Sequence, residues 1–325
     1  MVNLRASNSL LNSSIVPLTG GFGNQLFQYA FGMYLQAKTK QRVLFDTSIG
    51  NPRKIAGEIA LTGIDSAETP LFLPRMNSNF RWLFTKAFGW NLSNLLKSNK
   101  SRSLRFLLLS STAKVLLQLR FKGKYSVLTS QDLGYDKTIN YLNKAIFIGY
   151  FQTHFYASSP EVFKSLSNIR PKYLSEHYQT LRKSIQSTKP LLIHLRLTDY
   201  LTETTFGVPS LQYYIKAVKE MCKVRRYSDL WVVSDDIEEA KLRFRDLDTD
   251  LNLVYFDQSG LTDLEVWDLM REFGGYIISN SSFSWWAAFL RRNHESLVCA
   301  PSPWFQGMND PELLIPEDWI KVNSL

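Results

Sequence analysis

Cysteine is scarce in this sequence: there are two, Cys222 and Cys299, in 325 residues. No CxxC pair or Cys/His cluster accompanies them, so neither a zinc site nor a disulfide framework is implied, and a reducing compartment fits. The phosphate-cradling GxxxxGK[ST] loop is missing, as are HExxH and GxSxG. That removes the usual P-loop NTPases, zincins and serine hydrolases. No stretch approaches the ~20 apolar residues of a membrane span. The start, Met1 to Ser14, holds one arginine and no long apolar core, so it does not have the form of a signal peptide. Internal repeats and low-complexity tracts are absent as well. The expectation is a soluble chain, peripheral to a membrane at most.

What is present is basic and aromatic. Lys plus Arg number 38 against 29 Asp plus Glu, a formal charge of +9. Such a surface favours polyanions: nucleic acid, anionic membrane or a nucleotide-linked substrate. The basic residues are scattered rather than gathered in one tract, which counts against nucleic acid. Leu104–Phe121 is the nearest thing to a basic amphipathic surface. It is readable as a packed helix or as a contact with an anionic membrane.

Apolar runs alternate with amphipathic ones. Strands are expected at Ile15–Leu18, Arg42–Asp46, Ala145–Tyr150, Leu191–Leu195, Leu230–Ser234, Leu251–Phe256, Tyr276–Ser279 and Leu297–Ala300. Helices are expected at Gln25–Lys38, Pro160–Lys183, Ser210–Arg225, Ile237–Leu247, Asp263–Phe273 and Phe283–Arg292. Alternation of this kind predicts parallel sheets covered on both faces, hence an α/β fold. Ligands of such sheets sit beyond the carboxyl ends of the strands.

Four peptides lie there. Gly20-Gly21-Phe22-Gly23-Asn24-Gln25 joins a strand to a helix and can aim amide N–H groups at an anion, or can simply be a tight turn. With Asp46 it imitates a dinucleotide fingerprint, the basis for an alternative reading as an NAD(P)-dependent oxidoreductase. Leu26 at the third glycine position and Pro17 in the first strand count against that reading. His194-Leu195-Arg196-Leu197-Thr198-Asp199-Tyr200 leaves an apolar strand, and residues two apart on a strand share a face. Arg196 offers a fixed fork for phosphate, and His194 can bond a base, sugar or phosphate. Ser234-Asp235-Asp236 can hold guanine or ribose, or cap the next helix. Ser279 to Ser284 opens a helix whose start suits a diphosphate, although serine there also serves as an ordinary cap. The Asp246, Asp248, Asp250 run beside Arg243 and Arg245 is better taken as a solvated connector than as a metal-binding DxD.

Together these peptides resemble glycosyltransferase family 11, the α-1,2-fucosyltransferases. The resemblance runs from about Ile15 to Val322 through GGFGNQLFQYAFG at 20–32, IGYFQTHFY at 148–156, IHLRLTDY at 193–200, VVSDDIEEAK at 232–241, ISNSSFSWWAAFL at 278–290 and LIPEDWIKV at 314–322. It implies a GT-B-like architecture of two Rossmann-like domains with a cleft between them. The expected division is 1–155 for an acceptor-side domain and 156–300 for a GDP-fucose-binding domain, with 301–325 packing back across both.

The implied donor is GDP-β-L-fucose, with no cofactor and no metal. The implied reaction is inverting transfer to O2 of galactose in an oligosaccharide or lipid-linked glycan. Arg196 would hold the diphosphate, His194 the nucleotide, and Asp235 or Asp236 guanine or ribose. Ser281, Ser282 and Phe283 would line the phosphate site, and Gly21, Gly23 and Asn24 would close it. Asp199 and Asp46 are candidates for a base. The family pattern His-x-Arg-Arg-x-Asp is broken at Leu197, where the second arginine is missing. A cytoplasmic enzyme, in peripheral contact with the inner membrane and binding no nucleic acid, completes the expectation.

Overall fold

A computed structural model describes residues 13–46, 64–65, 115, 125–130, 132–141, 144–198, 200–201 and 206–325. The chain forms two compact units, Met1–Ile169 with Pro311–Leu314, and Arg170–Asp310 with Ile315–Leu325. Of the basic stretch Leu104–Phe121, all but Val115 lies outside the described residues.

The first unit contains β1 (Ser13–Pro17), α1 (Phe22–Thr39), β2 (Arg42–Asp46), β3 (Ile64–Asp65), β4 (Ser126–Thr129), β5 (Ala145–Ile148), α2 (His154–Ala157) and α3 (Pro160–Ser167). Its sheet runs β2-β1-β5-β4, and every pairing is parallel. β1 and β5 are buried along their whole length, as strands covered on both faces must be. Helix α1 lies on this sheet through Tyr29, whose ring is 5.0 Å from that of Phe45. Gly32 permits the approach: a Cβ there would stand 2.5 Å from the Phe45 ring. Pro17 is accommodated as the last residue of β1, and the next amide, Leu18 N–H, donates to Asp46 O at 2.9 Å.

The second unit contains β6 (Arg170–Pro171), α4 (Glu176–Thr188), β7 (Leu191–Leu195), α5 (Leu211–Val224), β8 (Asp229–Ser234), α6 (Ile237–Arg243), β9 (Asn252–Tyr255), α7 (Asp263–Met270), β10 (Gly275–Ile277), α8 (Ser282–Phe289), β11 (Leu297–Ser302) and β12 (Ile320–Asn323). The helix expected over Pro160–Lys183 is two helices, because Pro171 can neither donate an amide nor leave its predecessor helical. The strand Ile320–Asn323 was not anticipated. It adds a parallel edge beside β11.

The six-stranded order is β12-β11-β10-β7-β8-β9, all parallel. Read from the other edge, this is the doubly wound Rossmann order, in which the chain reverses direction between its first and fourth strands. Here those strands are β7 and β10. Two parallel α/β units therefore match the expected fold class, and the reversal point in the second singles out one pair of strand ends.

Candidate functional site

Alternation along β7 sorts its side chains. Leu191, Ile193, Leu195 and, just beyond the strand, Leu197 enter one hydrophobic core with Tyr213, Tyr214, Ala217 and Val232. His194 and Arg196 take the opposite face, as the period of two requires. Leu197 is fully buried. Where the family pattern has a second arginine, this chain has a core residue.

His194 is also buried, and its Nδ1 lies 2.9 Å from Ser279 Oγ, a bond that ties the end of β7 to the end of β10. Its ring stacks loosely on Phe283, with centroids 6.1 Å apart. Tyr214 OH donates to the His194 carbonyl at 3.3 Å. Burial, with the positive charge of Arg196 acting in the same direction and Asp235 opposing, pushes the imidazole down to about 3. His194 is thus a neutral hydrogen-bonding group. The cation at this strand exit is Arg196.

Arg196 keeps about a third of its side chain exposed, with Nε 3.3 Å from Asp235 Oδ2. Asp235 does more than pair with it. Its Oδ1 accepts from Leu197 N–H at 2.8 Å, and its Oδ2 accepts from the Thr198 hydroxyl. One carboxylate at the end of β8 therefore pins the backbone that carries Arg196. Its neighbour Asp236 caps α6, accepting from Glu239 N–H at 3.0 Å. Ser281 caps α8 and accepts from Phe283 N–H at 3.4 Å, while Ser282 and Phe283 stay partly exposed in the first turn. A helix start with this exposure presents amide hydrogens and positive dipole to an anion.

The structure therefore brings His194, Arg196, Asp235, Ser281, Ser282 and Phe283 to the strand ends around the reversal point. Asp199 lies outside the described residues. Gly21, Gly23 and Asn24 belong to the first unit. Gly21 caps α1, Gly23 is buried in its first turn, and Asn24 Oδ1 accepts from Gln152 Nε2 at 2.9 Å. Asp46 is fully enclosed. The aspartates at 246, 248 and 250 are exposed in the link from α6 to β9, and among the described residues no three His, Cys, Asp or Glu side chains converge.

A cavity of about 570 Å³ in the first unit is lined by Met33, Gln36, Lys40, Arg42 and Glu161. It lies where α1 ends and β2 begins. Asn280 lies within the peptide Ser279 to Ser284, but the sequence gives it no role of its own, because its bonds to residues more than seventy positions away leave no local signal.

Residues 116–321 match the model of Glycosyl transferase family 11. An α-1,2-colitosyltransferase of Escherichia coli is 26% identical, over 95% of this chain and 99% of that protein. The O-antigen biosynthesis glycosyltransferase WbnK of Escherichia coli is 25% identical, over 94% and 99%. The solved fucosyltransferase NodZ from Bradyrhizobium aligns over 86% of this chain and 92% of its own, at 15% identity and a TM-score of 0.47.

Proposed function

Because the chain belongs to glycosyl transferase family 11, we propose that it transfers L-fucose from GDP-β-L-fucose to a glycan hydroxyl, O2 of galactose, with inversion and without a metal ion. It is a glycosyltransferase by membership, and the oxidoreductase alternative falls with that. The name of the colitosyltransferase relative supports both an α-1,2 linkage and a deoxyhexose donor. Colitose is fucose without its 3-hydroxyl, so GDP-colitose is the second donor reading. The O-antigen role in the other relative's name supports an oligosaccharide or lipid-linked acceptor and a cytoplasmic, peripheral station at the inner membrane. Among the described residues no helix is long and apolar enough to cross a membrane.

The observation that carries the mechanism is the placement of Arg196 and the start of α8 at the reversal point of one sheet. Cleaving the bond between C1 and the phosphate oxygen leaves negative charge on GDP and positive character on the sugar. A guanidinium held by Asp235 and amide groups fixed at a helix start stabilise that charge without reorganising. His194, neutral, adds a hydrogen bond rather than charge. The acceptor hydroxyl attacks from the opposite face, and its proton leaves to a base or to water.

The test is direct. GDP should raise the melting temperature and NAD should not. The protein should then fucosylate a panel of galactose-terminated oligosaccharides from GDP-fucose, with and without a chelator. Stabilisation by NAD alone, or turnover that a chelator abolishes, overturns the reading. Preference for GDP-colitose selects the second donor.

A further inference from the structure

We infer that Asn280 reads the donor: its side-chain carbonyl accepts a hydrogen bond from an O–H or N–H of the sugar nucleotide, outside the phosphates. The inference rests on the proposal that a sugar nucleotide binds at this end of the sheet. Asn280 stands between Ser279, bonded to His194, and Ser281, the cap of α8. It is 2% exposed.

Its side-chain nitrogen donates to two backbone carbonyls, Phe206 O and Gly207 O, each at 2.9 Å. Those carbonyls can only accept, so they fix which end of the amide faces them. The other end, Oδ1, is then an acceptor enclosed by protein, and among the described residues it meets no donor. Native structures leave few such groups, because an unmade bond to a buried polar atom is costly.

Position and chemistry together select the missing partner. β10 and β7 flank the reversal point, where the ligand of a doubly wound sheet sits. The orphan acceptor is therefore beside the predicted phosphate site but cannot serve it. An ionised phosphate oxygen offers no hydrogen and would be repelled. Ribose hydroxyls, the N–H edge of guanine and the hydroxyls of the hexose all can donate. Oδ1 is enclosed, so a bond to it made on binding would be shielded from water.

Binding of GDP and of GDP-fucose, without acceptor, should be measured by calorimetry on the wild-type chain, Asn280→Ala and Gln306→Ala. Gln306 Nε2 donates to Val208 O at 3.2 Å, so its loss loosens the same loop without touching Oδ1. The expected result is binding weakened about tenfold in Asn280→Ala and changed less than about twofold in Gln306→Ala. Equal losses for both ligands assign the bond to the nucleoside, and a loss confined to GDP-fucose assigns it to the hexose.

Unchanged binding in Asn280→Ala, as a buried water at Oδ1 would give, overturns the inference. So does a Gln306→Ala that matches it. If Asn280→Ala does not fold, the wild type is titrated with IDP, 1-methyl-GDP, 2′-deoxy-GDP, 3′-deoxy-GDP and GDP-sugars lacking single hydroxyls. One of them should lose about tenfold, and no loss anywhere rejects the idea. A wild-type chain that binds neither GDP nor GDP-fucose defeats instead the proposed function beneath it.

Discussion

Two clusters of charge in the second unit are built in opposite ways. Between α4, α7 and the end of α8, three arginines meet two buried carboxylates. Arg271 is buried, with Nη1 3.0 Å from Asp268, Nε donating to Leu290 O at 2.9 Å, and its guanidinium over the Trp267 ring. Arg292 and Tyr178 complete Asp268 at 2.9 and 2.7 Å, while Arg182 and Gln186 complete Glu272 at 2.8 and 3.1 Å. At the carboxyl end of the sheet, Arg196 pairs with Asp235, and Asn280 Oδ1 lacks a protein partner among the described residues. The first cluster is chemically closed and holds helices together. The second holds an enclosed acceptor, Asn280 Oδ1, which is assigned above to the donor.

The largest effect that probes this contrast is on stability. Burial, with the like charge of Arg292, pushes Arg271 down to about 10, and Asp268 acts against that shift. Arg271→Ala takes from Asp268 its buried cation, leaving it Arg292 and Tyr178, and should cost about 3 kcal/mol in denaturant unfolding, with the turnover of the folded fraction unchanged. A turnover defect with normal stability would reverse the roles assigned to the two clusters.

Next comes activity. Arg196→Ala should lower kcat/KM for GDP-fucose by about 100-fold or more, the effect of removing one fixed stabiliser of developing charge, with the melting temperature little changed. Near-normal turnover would remove Arg196 from the chemistry.

Much of the second unit was legible because its signals are local. A period of two placed His194 and Arg196 on one face, and apolar runs located β7, β8 and β10. Leu197 shows the limit. As a letter it is a lost positive charge. In the fold it belongs with Leu191, Ile193 and Leu195 on the other side of the strand. Asp268 and Arg271 are only three residues apart, but the bonds that tie their cluster to Tyr178 and Arg182, like those of Asn280, join residues far apart in sequence, so no short window contains both partners. The edge strand Ile320–Asn323 was hidden for the same reason, since a four-residue strand is defined by its neighbour β11.

A smaller effect follows from His194. Its buried ring titrates well below the ordinary value of about 6.5, whereas in the unfolded chain it takes up a proton as pH falls through that value. The unfolded state then binds more protons, so stability falls as the pH drops from about 6.5 toward 3. Between pH 6.5 and 5 ordinary carboxylates hardly titrate, and the other histidines are common to both proteins. His194→Asn should therefore show a shallower loss over that window, by at most about 1.4 kcal/mol per pH unit. Equal slopes would mean that the ring charges freely in the folded state.

The smallest effect separates the two adjacent aspartates. Asp235 anchors Leu197 N–H, the Thr198 hydroxyl and Arg196, whereas the bond made by Asp236 Oδ1 is to Glu239 N–H in the first turn of α6. A helix cap is worth about 1 kcal/mol, so Asp236→Ala should lower stability by about that amount and leave GDP affinity within about twofold. Asp235→Ala should weaken GDP binding more than it weakens the fold, because it frees the segment that presents the guanidinium. If Asp236→Ala instead costs GDP affinity while stability holds, its carboxylate is a nucleotide contact, and the open cluster extends one residue further along the chain than the cap geometry implies.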